Sequence, residues 1–172
     1  MSETREIAGG AGRRTKFVGS STHKIDAKGR VSVPAEFRKT LAGREFDGVY
    51  CFPAFTGATL ECGGEELIDG LNAMISEMEM FDDDREAFEL VVMGETRKLS
   101  VDATGRIQLP EEFLTHAELD GSATFVGRGD RFQIWKPETY EAKVADARAR
   151  AFEARARLGA RPAAPSPAKA AE

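Results

Sequence analysis

The tightest constraint on this chain is that it repeats itself. Ile25-Asp26-Ala27-Lys28-Gly29-Arg30-Val31-Ser32-Val33-Pro34-Ala35-Glu36-Phe37 returns 76 positions later as Val101-Asp102-Ala103-Thr104-Gly105-Arg106-Ile107-Gln108-Leu109-Pro110-Glu111-Glu112-Phe113, without a gap. Asp, Ala, Gly, Arg, Pro, Glu and Phe are identical, and the apolar positions stay apolar. A repeat of this kind marks one supersecondary unit used twice.

Each copy has the same local logic. Asp26 and Asp102 start a turn, where an aspartate accepts a backbone N–H two residues on. Gly29 and Gly105 supply the left-handed conformation that other residues resist. Arg30 and Arg106 leave the turn. A short alternating strand follows, with Val31 and Val33 on one face and Ser32 on the other, mirrored by Ile107, Leu109 and Gln108. Pro34 and Pro110 stop the strand and suit a helix start. Phe37 with Leu41, and Phe113 with Ala117, have the i,i+4 spacing of one buried helical face. Gly43 and Gly121 are the expected helix stops.

The second half of the unit repeats more loosely. Val49-Tyr50-Cys51-Phe52 aligns as a strand with Phe125-Val126-Gly127-Arg128, again at the 76-residue offset. Phe132-Gln133-Ile134-Trp135 reads as a strand after the turn Arg128-Gly129-Asp130, and Thr59-Leu60-Glu61 is its weaker partner. Phe132 and Trp135 read as core aromatics, and Cys51 as a buried, inert thiol. Charged helices over residues 65–81 and 137–158 close the two copies. Antiparallel strands with flanking helices make the fold class α+β. The expected organisation is a disordered extension over residues 1–16 and a first repeat with its acidic helix over 17–81. A connector over 82–97, a second repeat over 98–158 and an Ala/Pro-rich disordered tail over 159–172 complete it.

Charge and composition narrow the function classes. The net charge is −5, which argues against a uniformly basic nucleic-acid binder. Its distribution is uneven. Residues 1–39 carry nine Lys/Arg against four acids, whereas residues 61–95 carry twelve acids and one base, Arg85. An acidic chain can still turn a basic edge to phosphate. No apolar run reaches the roughly 18 residues of a membrane helix, and residues 1–16 lack the apolar core of a secretory signal. No membrane association is expected. Cys51 and Cys62 make no disulfide framework and read as reduced thiols. His23 and His116 have no ligand-spaced neighbours, and 82–84 (three aspartates) reads as a solvated helix end, so no metal is expected. No phosphate loop, dinucleotide fingerprint or nucleophile elbow is present, so neither an enzyme nor a cofactor or small-molecule ligand is expected.

The paired Asp-x-x-Gly-Arg-apolar-x-apolar-Pro motif resembles the AbrB-type swapped-hairpin barrels of bacterial transcription factors. It is more similar still to the MraZ family, which carries two such motifs in one chain. That family also has a Gly-x-x-Asp-Arg-Phe-x-Ile-Trp segment, present here as Gly127 to Trp135 with Gln133 where the family usually has Glu. Phe17-Val18-Gly19 ahead of His23-Lys24-Ile25-Asp26 is similar too. The likeness spans about residues 16–148. It implies two tandem AbrB-like half-domains of swapped-hairpin or double-psi type, flanking helices and a pseudo-two-fold.

The resemblance also implies a cytoplasmic, nucleoid-associated regulator that acts as a repressor. Such a regulator would bind double-stranded DNA at short promoter repeats of its own cell-division and cell-wall genes, as a ring-like homo-oligomer. Physically, an arginine on a glycine turn can reach guanine O6 and N7 or a phosphate. Lys28, Gly29 and Arg30 of the first turn and Thr104, Gly105 and Arg106 of the second are the candidate DNA contacts, with Lys24 and His23 beside the first turn. Lys28 and Arg30 put two cations on one turn, while Thr104 replaces the lysine in the other. Arg30 and Arg106 also admit a bracing role, paired with Asp26 and Asp102. The acidic helix is expected to lie away from DNA. The rival reading is an antitoxin-like module that neutralises a partner protein.

Overall fold

Strand pairing in the computed structural model, which describes residues 16–159, interleaves the repeats: each keeps one hairpin of its own, and the other four pairings cross between them. The first repeat contributes β1 (Ser20–Lys24), β2 (Arg30–Ser32), helix α1 (Ala35–Leu41), β3 (Gly48–Pro53) and β4 (Thr59–Gly63). The second contributes β5 (Arg97–Ser100), β6 (Arg106–Gln108), α4 (Glu111–His116), β7 (Ser122–Gly127) and β8 (Phe132–Trp135). Between them lie α2 (Glu65–Ser76), α3 (Asp83–Phe88) and a π-helical turn, Glu89–Met93. Six strands form one antiparallel sheet in the order β1-β7-β8-β4-β3-β5. The remaining two, β2 and β6, pair with each other. β2 packs against β1 and β6 against β5, so this pair spans the open edges and closes the strands into a barrel.

The registers reveal a pseudo-two-fold axis. Val31 faces Ile107 at the centre of the β2–β6 pair. At the opposite pole, Glu61 faces Gln133 at the centre of the β4–β8 pair. β1 pairs with β7, and its counterpart β5 pairs with β3. These pairings correct the sequence alignment of the third strand. His23 lies opposite Ala123, and its counterpart Leu99 lies opposite Val49. Val49 therefore corresponds to Ala123, not to Phe125. The second copy drops two residues because α4 and the turn after it are shorter than α1 and its loop.

The core lies inside the barrel, where the alternating strand residues converge. Val31, Val33, Ile107 and Leu109 from the repeated strands are buried, as are Phe37, Phe113, Phe125, Phe132 and Ile134. Phe17, Phe37 and Phe132 form a mutual aromatic contact with ring centroids 5.1–5.3 Å apart. Pro34 and Pro110 sit at the N-caps of α1 and α4, where the missing N–H costs nothing. Cys51 and Cys62 are free, buried and opposite each other, with Sγ atoms 2.8 Å apart. Burial, followed by the neighbouring Cys51, pushes the Cys62 thiol well above its usual value, as suits a packing residue.

The acidic stretch differs from expectation. The helix expected over residues 65–81 stops at Ser76, and the expected connector over 82–97 is largely helical. Asp82 restarts the chain as a helix by accepting the Asp84 N–H at 2.8 Å. The final helix, α5 (Pro137–Gly159), extends one residue past its expected end. The chain divides into two compact units at Pro137, so α5 beyond that residue is a separate body. It buries none of its side chains and carries an Asp146–Arg150 ion pair at i,i+4. No described helix is long and apolar enough to cross a membrane. The disorder expected for residues 1–16 and 159–172 falls almost wholly outside the described residues.

Candidate nucleic-acid interface

The two Asp-x-x-Gly-Arg turns are built alike. In the first, Asp26 Oδ1 accepts the backbone N–H of Lys28 at 3.0 Å and of Arg30 at 2.9 Å. Asp26 Oδ2 accepts Arg30 Nε at 2.6 Å. In the second, Asp102 Oδ1 accepts the N–H of Thr104 at 2.9 Å and of Arg106 at 3.0 Å, while Oδ2 accepts Arg106 Nε at 3.1 Å. Thr104 adds its own hydroxyl to Asp102 Oδ1 at 2.7 Å, where the first turn has the exposed Lys28. These bonds favour the ionised carboxylate. Donation from the Arg30 N–H lowers Asp26, and donation from the Arg106 N–H, then the Thr104 hydroxyl, takes Asp102 far below its usual range.

Both glycines do what the motif requires. Gly29 and Gly105 have φ of +78° and +81°. A Cβ on Gly29 would come within 2.9 Å of the Leu109 carbonyl, and one on Gly105 within 2.7 Å of the Arg38 guanidinium. The turns also hold each other. Leu109 donates its N–H to the Gly29 carbonyl, and Val33 donates to the Gly105 carbonyl, each at 2.9 Å.

The bracing reading and the contact reading of the arginines are therefore compatible. Aspartate holds each arginine by Nε. Among the described residues, neither Arg30 nor Arg106 has a hydrogen-bond partner at its Nη groups, and each side chain is 33% exposed. Because Val31 and Ile107 point inward, Arg30, Ser32, Arg106 and Gln108 share the outward face of the β2–β6 ribbon. Arg30 and Arg106 line one shallow groove of about 460 Å³ with Lys98, Gln108 and Asp102.

The other candidates fall differently. Lys28 and Thr104 stand exposed at the turn tips, and Lys24 is exposed at the end of β1. His23 is half-buried, bonded to Ser21 Oγ at 2.9 Å and edge-on to Phe125 at 5.7 Å, so its ring is committed to the protein. Two cations went unread in the sequence. Lys98 reaches the groove with its Nζ 5.2 Å from the centroid of the Tyr50 ring. Arg38 donates to the Val33 carbonyl at 3.2 Å and lies against the second turn. Neither belongs to the motif, and only the strand pairing brings them there. Among the described residues, no group of three His, Cys, Asp or Glu gathers to hold a metal ion.

Comparison with known proteins bears on the same motifs. A family model described as "MraZ protein, putative antitoxin-like" matches residues 92–161. A transcriptional regulator MraZ from Methylocella silvestris is 40% identical over 87% of this chain and 91% of its own length. The chain belongs to the MraZ family. A second MraZ regulator, from Phenylobacterium zucineum, is 44% identical over 84% of this chain and 89% of its own. A third, from Beijerinckia indica, is 37% identical over 87% and 92%. As a member of this family the chain is a transcriptional regulator, with the mixed helix and antiparallel sheet expected of the MraZ fold.

Proposed function

We propose that this MraZ-family regulator binds double-stranded DNA through the β2–β6 ribbon and its two turns. The observation that carries this reading is the pair of Nε-anchored arginines, whose Nη groups are unpartnered among the described residues and lie on one outward face. Anchoring fixes each guanidinium before DNA arrives, so less side-chain entropy is lost on contact. The major groove admits a two-stranded ribbon, and an arginine there bonds guanine O6 and N7. Gly29 and Gly105 hold the turns open, while Lys28, Lys24 and Thr104 contact the phosphate backbone around them. His23 supports the β1 edge from inside. The targets are short promoter repeats ahead of the chain's own cell-division and cell-wall genes, and the effect is repression in the cytoplasm, at the nucleoid.

One subunit offers few cations, so its grip on a duplex is weak. A homo-oligomer, closed as a ring, lets several subunits engage consecutive repeats and gain avidity without new contacts. The acidic α2 and α3 face away from phosphate in such an assembly. The family description also carries an antitoxin-like reading, in which the chain binds a protein. Salt separates the two. Footprinting on DNA upstream of the chain's own gene should show protected repeats, with affinity falling steeply as salt rises. Salt-insensitive binding, or no protected repeat, overturns the DNA reading. Light scattering that shows a monomer at micromolar concentration overturns the ring.

A further inference from the structure

The pseudo-two-fold of the ribbon is obeyed by its arginines and broken beside them. Arg30 and Arg106 exchange places under the axis through Val31 and Ile107. Their cross-strand neighbours do not match. Arg30 faces Gln108, whereas Arg106 faces Ser32. Both neighbours are exposed on the outward face. Gln108 has no hydrogen-bond partner among the described residues, and it lines the groove with Arg30, Lys98 and Arg106.

Resting on the DNA-binding reading above, we propose that Gln108 is the residue that gives each subunit a direction on DNA. Two arginines related by a dyad read two guanines related by a dyad, and that alone specifies a symmetric site. A carboxamide can hold adenine by N6 and N7 together. A serine hydroxyl is too short and too undirected to match it. The Arg30–Gln108 side therefore reads a guanine and a neighbouring adenine, while the Arg106–Ser32 side reads a guanine alone. A subunit with near two-fold symmetry then recognises a site that is not a palindrome. Sites of one polarity can repeat head-to-tail along a promoter.

The lysines do not supply base-level direction: Lys28, which stands exposed where the second turn has Thr104, sits at a turn tip and acts on the phosphate backbone. Lys98 on β5 corresponds to Thr22 on β1, and Lys24 on β1 corresponds to Ser100 on β5. Each side of the ribbon has one lysine on its flanking strand. They differ in position by two residues, and Arg97, paired with Glu112, adds a further cation on β5 alone; these charges act through backbone attraction rather than base reading.

The test is selection of binding sites from a randomised duplex pool by the full chain and two uncharged variants. Wild type should select a site with guanines on both sides and an adenine on one. Gln108→Ser should lose that adenine preference, by roughly 5- to 150-fold, while its salt dependence stays that of wild type. Ser32→Gln should gain an adenine preference in the mirrored position. Both residues are solvent-facing, and matching thermal melts would confirm that the variants fold. Selection of the wild-type motif at wild-type strength by Gln108→Ser overturns the inference. If that happens while Arg30→Ala still loses binding, the DNA reading stands and only the role of Gln108 falls. If wild type selects no site at all, both fall.

Discussion

Gln133 lies directly opposite Glu61 in the β4–β8 pair, and each holds the place in its own repeat that the other holds in its own. Gln133 donates to Glu61 Oε1 and accepts from Trp135 Nε1 at 3.0 Å, while Arg131 reaches Glu61 Oε2 at 3.1 Å. A second glutamate at this pole would set two carboxylates face to face. The glutamine supplies a donor to one neighbour and an acceptor to the other.

Replacing Gln133 with leucine removes both bonds at a site only 3% exposed. The expected loss is about 1–3 kcal/mol of stability, read by urea denaturation. A midpoint equal to wild type would show that this polar bridge contributes nothing net.

The glycines separate backbone strain from crowding. Gly29 and Gly43 have the same φ, +78°, but only Gly29 has a backbone carbonyl in the way of a Cβ. Gly43→Ala should cost about 1–2 kcal/mol for the left-handed conformation, and Gly29→Ala more than that. Equal losses would mean that the first turn shifts freely away from Leu109.

Arg30→Ala should weaken specific DNA binding by roughly tenfold or more, the worth of one guanine contact. The melting temperature should change little, because Val31 and its neighbours hold the strand. A gel-shift titration in which the variant binds like wild type contradicts the interface. Arg30→Lys should not rescue, since lysine has no Nε to seat in Asp26 while reaching outward.

Acid should loosen both turns together. The carboxyl groups of Asp26 and Asp102 lie below the ordinary aspartate value of 3.8 in the folded chain. Their contribution is complete above that value and is lost as pH falls through the lowered one. Thermal melts below about pH 4 should therefore show a falling stability that the double variant Asp26→Asn, Asp102→Asn flattens. An unchanged acid limb in that variant would place the loss elsewhere.

Much of the site was legible because it is local. Asp26, Gly29 and Arg30 lie within five residues, and turn chemistry alone puts them together. The alternation of Val31, Ser32 and Val33 gives the inward and outward faces. Lys98 and Arg38 were not legible, because each reaches the turns through a strand or helix whose partner is set by tertiary packing. The same limit explains the misaligned third strand. Two residues lost between α4 and β7 leave no mark on an apolar run, and only Leu99 opposite Val49 fixes the register. The acidic helix stops at Ser76, and Asp82 caps a new one further on, a break that an unbroken run of acidic and apolar residues does not announce.

The interleaving of the strands has a consequence for the chain as a polymer. Among the described residues, β1 lies at one end of the six-stranded sheet beside β7, and β5 at the other end beside β3. Either half, made alone, would expose raw strand edges and seek a second molecule to cover them. Two severed halves mixed together should recover the barrel by association, so the covalent link between them acts chiefly to guarantee that unlike halves meet.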